Sequence, residues 1–157
     1  MEVTIKPNYI VFSAITFIIS LLGRFYSSTG MKWYYTLNLP NYTPPGWVIG
    51  TIWTVIYVVT TVAVIMVWNN FSRDRQFYFI LGLFALNALF SALWTYLFFY
   101  QQSINLAFID EIAVFISLLA LIVAVGQRSL TIAALLAPYL AWITFAVWLN
   151  LMVWIMN

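Results

Sequence analysis

Between Lys6 and Arg24 the chain carries no charged residue, and four more apolar stretches of similar length follow. A helix of about 20 apolar residues crosses the hydrocarbon of a bilayer. Spans are predicted at about 8-26, 46-68, 77-99, 105-125 and 131-154. Only 6% of the 157 residues are charged, against about 25% in a soluble domain. Six Lys and Arg and four Asp and Glu are too few to hydrate a protein of this size, so its outer surface must face lipid. Backbone groups in lipid have to be bonded within their own segment, which favours helices. The expected fold is all-α: an integral membrane bundle of five transmembrane helices, one domain over 1-157. The N-terminal stretch reads as an uncleaved first span, because no small-residue cleavage site follows Gly23.

Composition removes several kinds of chemistry. Arg73 and Arg75 are the nearest approach to a basic cluster, and nucleic-acid binding needs a larger cationic footprint. Cysteine and histidine are both absent. Disulfides are therefore excluded, and zinc, iron–sulfur and His- or Cys-held haem sites lack their usual ligands. A Ser-His or Cys-His catalytic pair cannot be built. No required cofactor is expected.

The connections are unequal. Three are short, and one, at about 27-45, is long and reads SSTGMKWYYTLNLPNYTPP. Loops beyond about 12–15 residues are uncommon and often functional. Its Trp33, Tyr34, Tyr35, Leu37, Leu39 and Tyr42 should fold it back onto the bundle or hold it at the interface. Pro40, Pro44 and Pro45 stiffen it, and Pro45 suits the start of the second helix. Lys6, Arg73, Arg75 and Arg128 fall on the N-terminal side, with Arg24 and Lys32 on the other. The positive-inside rule then puts the N-terminus in the cytoplasm.

Aromatic residues make up 20% of the chain. Interfacial belts explain some of them, such as Trp68, Trp148 and Trp154. Others recur at helical spacing within the spans: Gly46, Gly50, Trp53 and Tyr57; Leu83, Asn87, Phe90, Ser91 and Trp94; Trp142, Ala146 and Asn150, flanked by Phe145 and Leu149. Polar side chains in a bilayer turn inward. Two outcomes fit these stripes: an aromatic-walled cavity, or plain helix packing with Asn and Tyr as glue. Asp110 and Glu111 also allow two readings. Near the start of the fourth helix they would complement its dipole; alternatively, Asp110 points into the bundle, where carboxylates mark function. Ala88-x3-Ala92 permits close helix approach and raises the expectation of a homodimer. Sterol-type patterns at Leu22-x3-Tyr26-x5-Lys32 and Lys6-x2-Tyr9-x-Val11 arise easily in such a chain.

Across nearly its whole length the sequence resembles the TspO/MBR family, the translocator proteins once called peripheral-type benzodiazepine receptors. The resemblance lies in Trp33-Tyr34-x2-Leu37-x2-Pro40-x2-Thr43-Pro44-Pro45, in Trp53-x3-Tyr57 and Val67-Trp68, in Ala85-Leu86-Asn87 and Trp94, and above all in Pro138-Tyr139-Leu140-Ala141-Trp142-x2-Phe145-Ala146-x2-Leu149-Asn150. It implies a five-helix bundle whose first loop covers a pocket for porphyrins such as protoporphyrin IX and for benzodiazepine-type ligands. Carried onto this chain, the pocket would include Trp33, Trp53, Tyr57, Asn87, Phe90, Trp142, Phe145 and Ala146. Some bacterial members are associated with light-dependent oxidative porphyrin breakdown, for which Trp53 and Trp142 are the catalytic candidates. A receptor or sensor, an enzyme of that kind and a transporter all remain open. Animal members carry a sterol motif with Tyr and Arg after the final Leu-Asn; here the residues are Leu151-Met152-Val153-Trp154-Ile155-Met156. That difference suits a bacterial member in a plasma membrane.

Overall fold

A computed structural model describes residues 6–157; residues 1–5 of the predicted domain lie outside that range. The described residues form α1 (Pro7–Tyr34), α2 (Gly46–Asn70), α3 (Arg75–Thr95) continuing into a π-helical turn (Tyr96–Tyr100), α4 (Ile104–Gly126), α5 (Leu130–Leu135) and α6 (Ala137–Met156). Five of these helices are long and apolar enough to cross a membrane: α1, α2, α3 with its π turn, α4 and α6. The protein is an all-α integral membrane bundle. At one end, Asn8 donates to Asn69, and Asn69 donates to the Tyr9 hydroxyl. At the other, the Asn38 N–H donates to the Asn157 side chain, which donates back to the Asn38 carbonyl. The first and last described turns therefore sit at opposite ends, as an odd number of spans requires.

The core runs along α4. Val114, Leu118, Leu121 and Val125 share one face and pack into a cluster with Val67 of α2, Phe77 and Ile80 of α3, Ile132 of α5 and Ile143 of α6. Lipid tails are as apolar as these side chains, so close packing and interhelical hydrogen bonds, rather than escape from water, hold the helices together. One such network crosses three helices. The Asn87 amide donates to the Val114 carbonyl at 3.0 Å and to Ser117 Oγ at 2.9 Å. Its carbonyl accepts from the Tyr139 hydroxyl at 3.0 Å. That hydroxyl has spent its one proton, so the 2.9 Å contact with Ser91 runs from the serine to the tyrosine.

The structure moves two predicted boundaries. First, α1 does not stop near Tyr26 but continues to Tyr34, leaving a connection of only 35–45. Ser27, Ser28 and Thr29 resemble loop residues, yet each hydroxyl donates back to a carbonyl three or four residues earlier, at 2.7 Å. This bonding suits a helix whose side chains cannot reach water. At 1.5 Å per residue, 28 residues span about 42 Å, more than the roughly 30 Å of hydrocarbon. Trp33 and Tyr34 thus belong to the helix, and only the shorter loop folds over the end. Its Leu37 and Leu39 pack with Phe98, Ala107 and Val153. Second, the predicted span 131-154 is broken. A short α5 ends at Leu135 and α6 starts at Ala137, because Pro138 has no N–H with which to continue the ladder.

Candidate functional site

Between α1 and the rest of the bundle, toward the 35–45 end, lies a cavity of about 730 Å³. Ligand pockets generally occupy about 300–1,000 Å³. α1 supplies Phe17, Gly23, Arg24, Ser27 and Tyr34; α2 supplies Gly46, Ile49, Gly50, Trp53 and Tyr57. Ser91 and Trp94 of α3 and Phe98 and Phe99 of the π turn form a third wall. Glu111 of α4 and Trp142, Ala146 and Asn150 of α6 close the inner side. The space exists because the helices carry small residues where they face one another. A side chain at Gly46 or Gly50 would meet nothing within 4 Å. At Gly23 it would meet the Tyr57 hydroxyl at 3.6 Å.

The walls are rigid aromatic surfaces. Trp53 lies 5.7 Å from Tyr57 and 6.1 Å, edge-on, from Tyr139. Trp94 stacks on Phe98 at 5.1 Å with the planes 15° apart. Trp142 sits 5.5 Å from Phe145. Offset and edge-on pairs of this type add about 0.5–1.5 kcal/mol each beyond contact area, and they hold the rings in place without a ligand. The indole N–H groups of Trp94 and Trp142 are buried with no hydrogen-bond partner.

Half of the predicted pocket residues line this space: Trp53, Tyr57, Trp142 and Ala146. The other four do not. Trp33 is on α1 and packs edge-on against Phe98, at 5.4 Å, from outside. Asn87 is consumed by the three-helix network. Phe90 packs against the main core, and Phe145 supports Trp142. The stripes of α2 and α6 reach the cavity, whereas that of α3 reaches it only at Ser91 and Trp94.

The carboxylates also need correction. α4 starts at Ile104, and Ser103 occupies its N-cap position, so neither Asp110 nor Glu111 caps the helix. Both are buried. Glu111, rather than Asp110, reaches the cavity and accepts a 3.2 Å hydrogen bond from the Asn150 amide. A signal for this was present. Asp110, Ser117 and Ala124 fall at intervals of seven on the buried stripe of α4, which places the carboxyls on the inward side. A second, more open depression of about 470 Å³ lies at the far end, beside Arg128 and Phe71. Its Arg128 is already engaged by Asp74 and Gln76.

A family model for the TspO/MBR family matches residues 11–155. The chain is 35% identical to the tryptophan-rich protein TspO of Bacillus cereus, covering 86% of this chain and 90% of the relative. It is 32% identical to the protein of the same name from Archaeoglobus fulgidus, covering 88% and 90%. It is 33% identical to the human translocator protein, covering 84% and 79%. With five spans, an aromatic cavity and a match over nearly its whole length, this chain belongs to the TspO/MBR family.

Proposed function

We propose that the protein is a membrane receptor or sensor for porphyrins such as protoporphyrin IX, and that the same cavity accepts benzodiazepine-type ligands. The observation that carries this reading is the convergence of Trp53, Trp94 and Trp142 on one cavity of about 730 Å³. A flat, apolar macrocycle gains from stacking faces that are already fixed, since ordering them costs nothing further on binding. Tryptophan quenching on folded protein tests the proposal. Protoporphyrin IX should bind, and Trp53→Ala should weaken it tenfold or more, about 1.4 kcal/mol. Equal affinities would overturn it. Light-driven oxidation of the bound porphyrin is a second reading, favoured by the two oxidisable indoles, Trp53 and Trp142, on the wall. Trp142→Phe should then keep binding but change the pigment formed under illumination, as read by absorption and mass spectrometry. Transport would instead require vectorial flux in vesicles.

The setting belongs to the same proposal. The end carrying Arg73, Arg75 and Arg128 is assigned to the cytoplasm of a bacterial plasma membrane, and reporter fusions at the two ends would check it. A homodimer through α3 is also proposed. Ala88 and Ala92 are half-buried within one copy, so the outward stripe of Gly82, Leu86, Leu89 and Leu93 is the surface for it. If Leu89→Arg leaves the mass in detergent unchanged, α3 is not the interface.

A further inference from the structure

Two charged side chains line the cavity among the described residues, Arg24 and Glu111, and they differ in kind. Arg24 is exposed, on the α1 side of the cavity. Glu111 is 3% exposed, at the inner wall. No ion pair joins them; the ion pair among the described residues is Arg128 with Asp74, at the other end. Glu111 has one hydrogen-bond partner, the Asn150 amide, on Oε2. Its Oε1 has no partner and is not among the sealed polar atoms, so it meets the cavity. Asn150 turns its amide to the carboxyl, and its own carbonyl oxygen is likewise unpartnered and unsealed. Beside the tryptophan walls, the inner end of the cavity therefore offers acceptors.

A carboxyl held in hydrocarbon is costly unless it is paired. The missing partner is a nitrogen that brings both N–H donors and positive charge. Aromatic walls suit the same group, because a cation is attracted to ring faces within about 6 Å. We propose that Glu111, with Asn150, makes the inner end of the cavity a site for the basic nitrogen of an amphipathic aryl-alkyl amine, whose aromatic body lies along Trp53 and Trp142. Whether the amine or the carboxyl brings the proton, the complex is the same ammonium–carboxylate pair. The inference rests on the reading of this cavity as a ligand site and adds a second ligand class to it, selected by charge rather than by ring stacking alone.

The test uses purified protein in detergent, with 2-(1-naphthyl)ethylamine and its N-acetyl derivative as probes and tryptophan fluorescence as the readout. The two share an aromatic body, and only the amine can pair with Glu111. Wild type should bind the amine about tenfold or more tighter than the amide, the scale of one charge-assisted hydrogen bond. Glu111→Gln, shown folded by circular dichroism and melting, should erase that preference. Should Glu111→Gln fail to fold, Asn150→Leu should reduce the same preference, and the wild-type comparison stands without any variant. Equal binding of amine and amide by wild type overturns the inference, as does an undiminished preference in folded Glu111→Gln. Protoporphyrin IX, titrated in parallel, separates the two levels. If porphyrin binds and the amine shows no preference, only the amine site falls; if no probe binds, the cavity reading falls with it.

Discussion

α4 and α1 both cross the bundle, yet buried residues make up 44% of the apolar stretch of α4 and 6% of that of α1. α4 is packed on most sides, with nine buried positions from Ala107 to Val125. The buried positions of α1 are two glycines, Gly23 and Gly30. In water such a difference would be written in composition, because an exposed helix needs a polar face. In lipid both faces are apolar, and what separates the two helices is residue size and attachment. α1 is fastened at one end by Asn8, Tyr9 and Asn69, by Thr61 donating to Thr16 at 2.8 Å, and by Phe12 edge-on to Trp68. Near the other end Gly30 lies directly against the backbone of Phe99. Between these attachments α1 touches the bundle at Gly23 and Tyr26, the latter edge-on to Tyr96 and Tyr100, and otherwise walls the cavity.

The sharpest way to break this comparison is to truncate one side chain on each helix. Leu118→Ala on α4, where Leu118 is fully buried, should cost about 2–5 kcal/mol. Ile18→Ala on the outward face of α1 should stay within about 0.5 kcal/mol. Melting in detergent reads both, and similar losses would mean that α1 is packed in a way its burial does not show.

Next in size is the attachment itself. A Cβ at Gly30 would lie 2.3 Å from the Phe99 carbonyl oxygen, and backbone cannot swing aside as a long side chain can. Gly30→Ala should cost about 1–3 kcal/mol by pushing α1 off the π turn. Gly46→Ala, which meets open space, should be close to neutral. Equal melting temperatures for the two variants would remove Gly30 as a fastening point.

The cavity side of α1 gives a third test. Gly50→Phe has room to enter from α2 and would fill space opposite α1 without disturbing α4. Porphyrin affinity should fall about tenfold, or 1.4 kcal/mol, while melting holds or rises. Unchanged affinity would place the porphyrin elsewhere.

Much of this arrangement was legible in the sequence. Five spans, the buried face of α3 and the aromatic faces of α2 and α6 follow from apolar length and from spacings of three and four. Periodicity could not say where α1 ends, because Ser27, Ser28 and Thr29 serve a loop in water and a helix in lipid. Nor could it separate Trp142, on the cavity, from Phe145 behind it, since adjacent turns of one face differ by only a few ångströms in depth. Glu111 escaped for another reason: two consecutive carboxyls in the second turn of a helix can serve its dipole or turn inward, and spacing alone does not choose which of the two reaches a cavity.

The smallest expected effect lies at the opposite end. Asp74 caps α3 by accepting from the Phe77 N–H at 2.9 Å and pairs with Arg128. The Arg128 guanidinium, with that backbone N–H, holds its carboxyl below the usual carboxylate range. A depressed native pKa stabilises the fold above the unfolded value. The contribution should begin to fade as pH drops below about 3.9 and disappear once Asp74 is protonated in the native state. Because the pair is exposed, added salt should weaken it. Melting temperatures of wild type and Asp74→Asn should therefore differ slightly at neutral pH and converge in acid. A gap that persists at pH 2 would assign the effect to something other than the charge.

The π-helical turn carries a consequence of its own. The Gln101 N–H reaches back five residues to the Tyr96 carbonyl, at 2.9 Å, so Tyr96–Tyr100 holds one more residue per hydrogen-bonded ring than α-helix would. Each α-helical residue turns the chain by about 100°. The extra residue therefore acts as a phase shift at the end of the span. Upstream of it Trp94 lines the cavity, and within it Phe98 and Phe99 do so while Phe99 also receives Gly30. Deleting any one residue from 96–100 would restore regular winding and turn the end of the span out of phase with α3: either the cavity keeps Trp94 or α1 keeps its seat, but not both. Sequence length is thus fixed across these five positions more tightly than residue identity, and an alignment gap there would mark a relative with a differently shaped cavity.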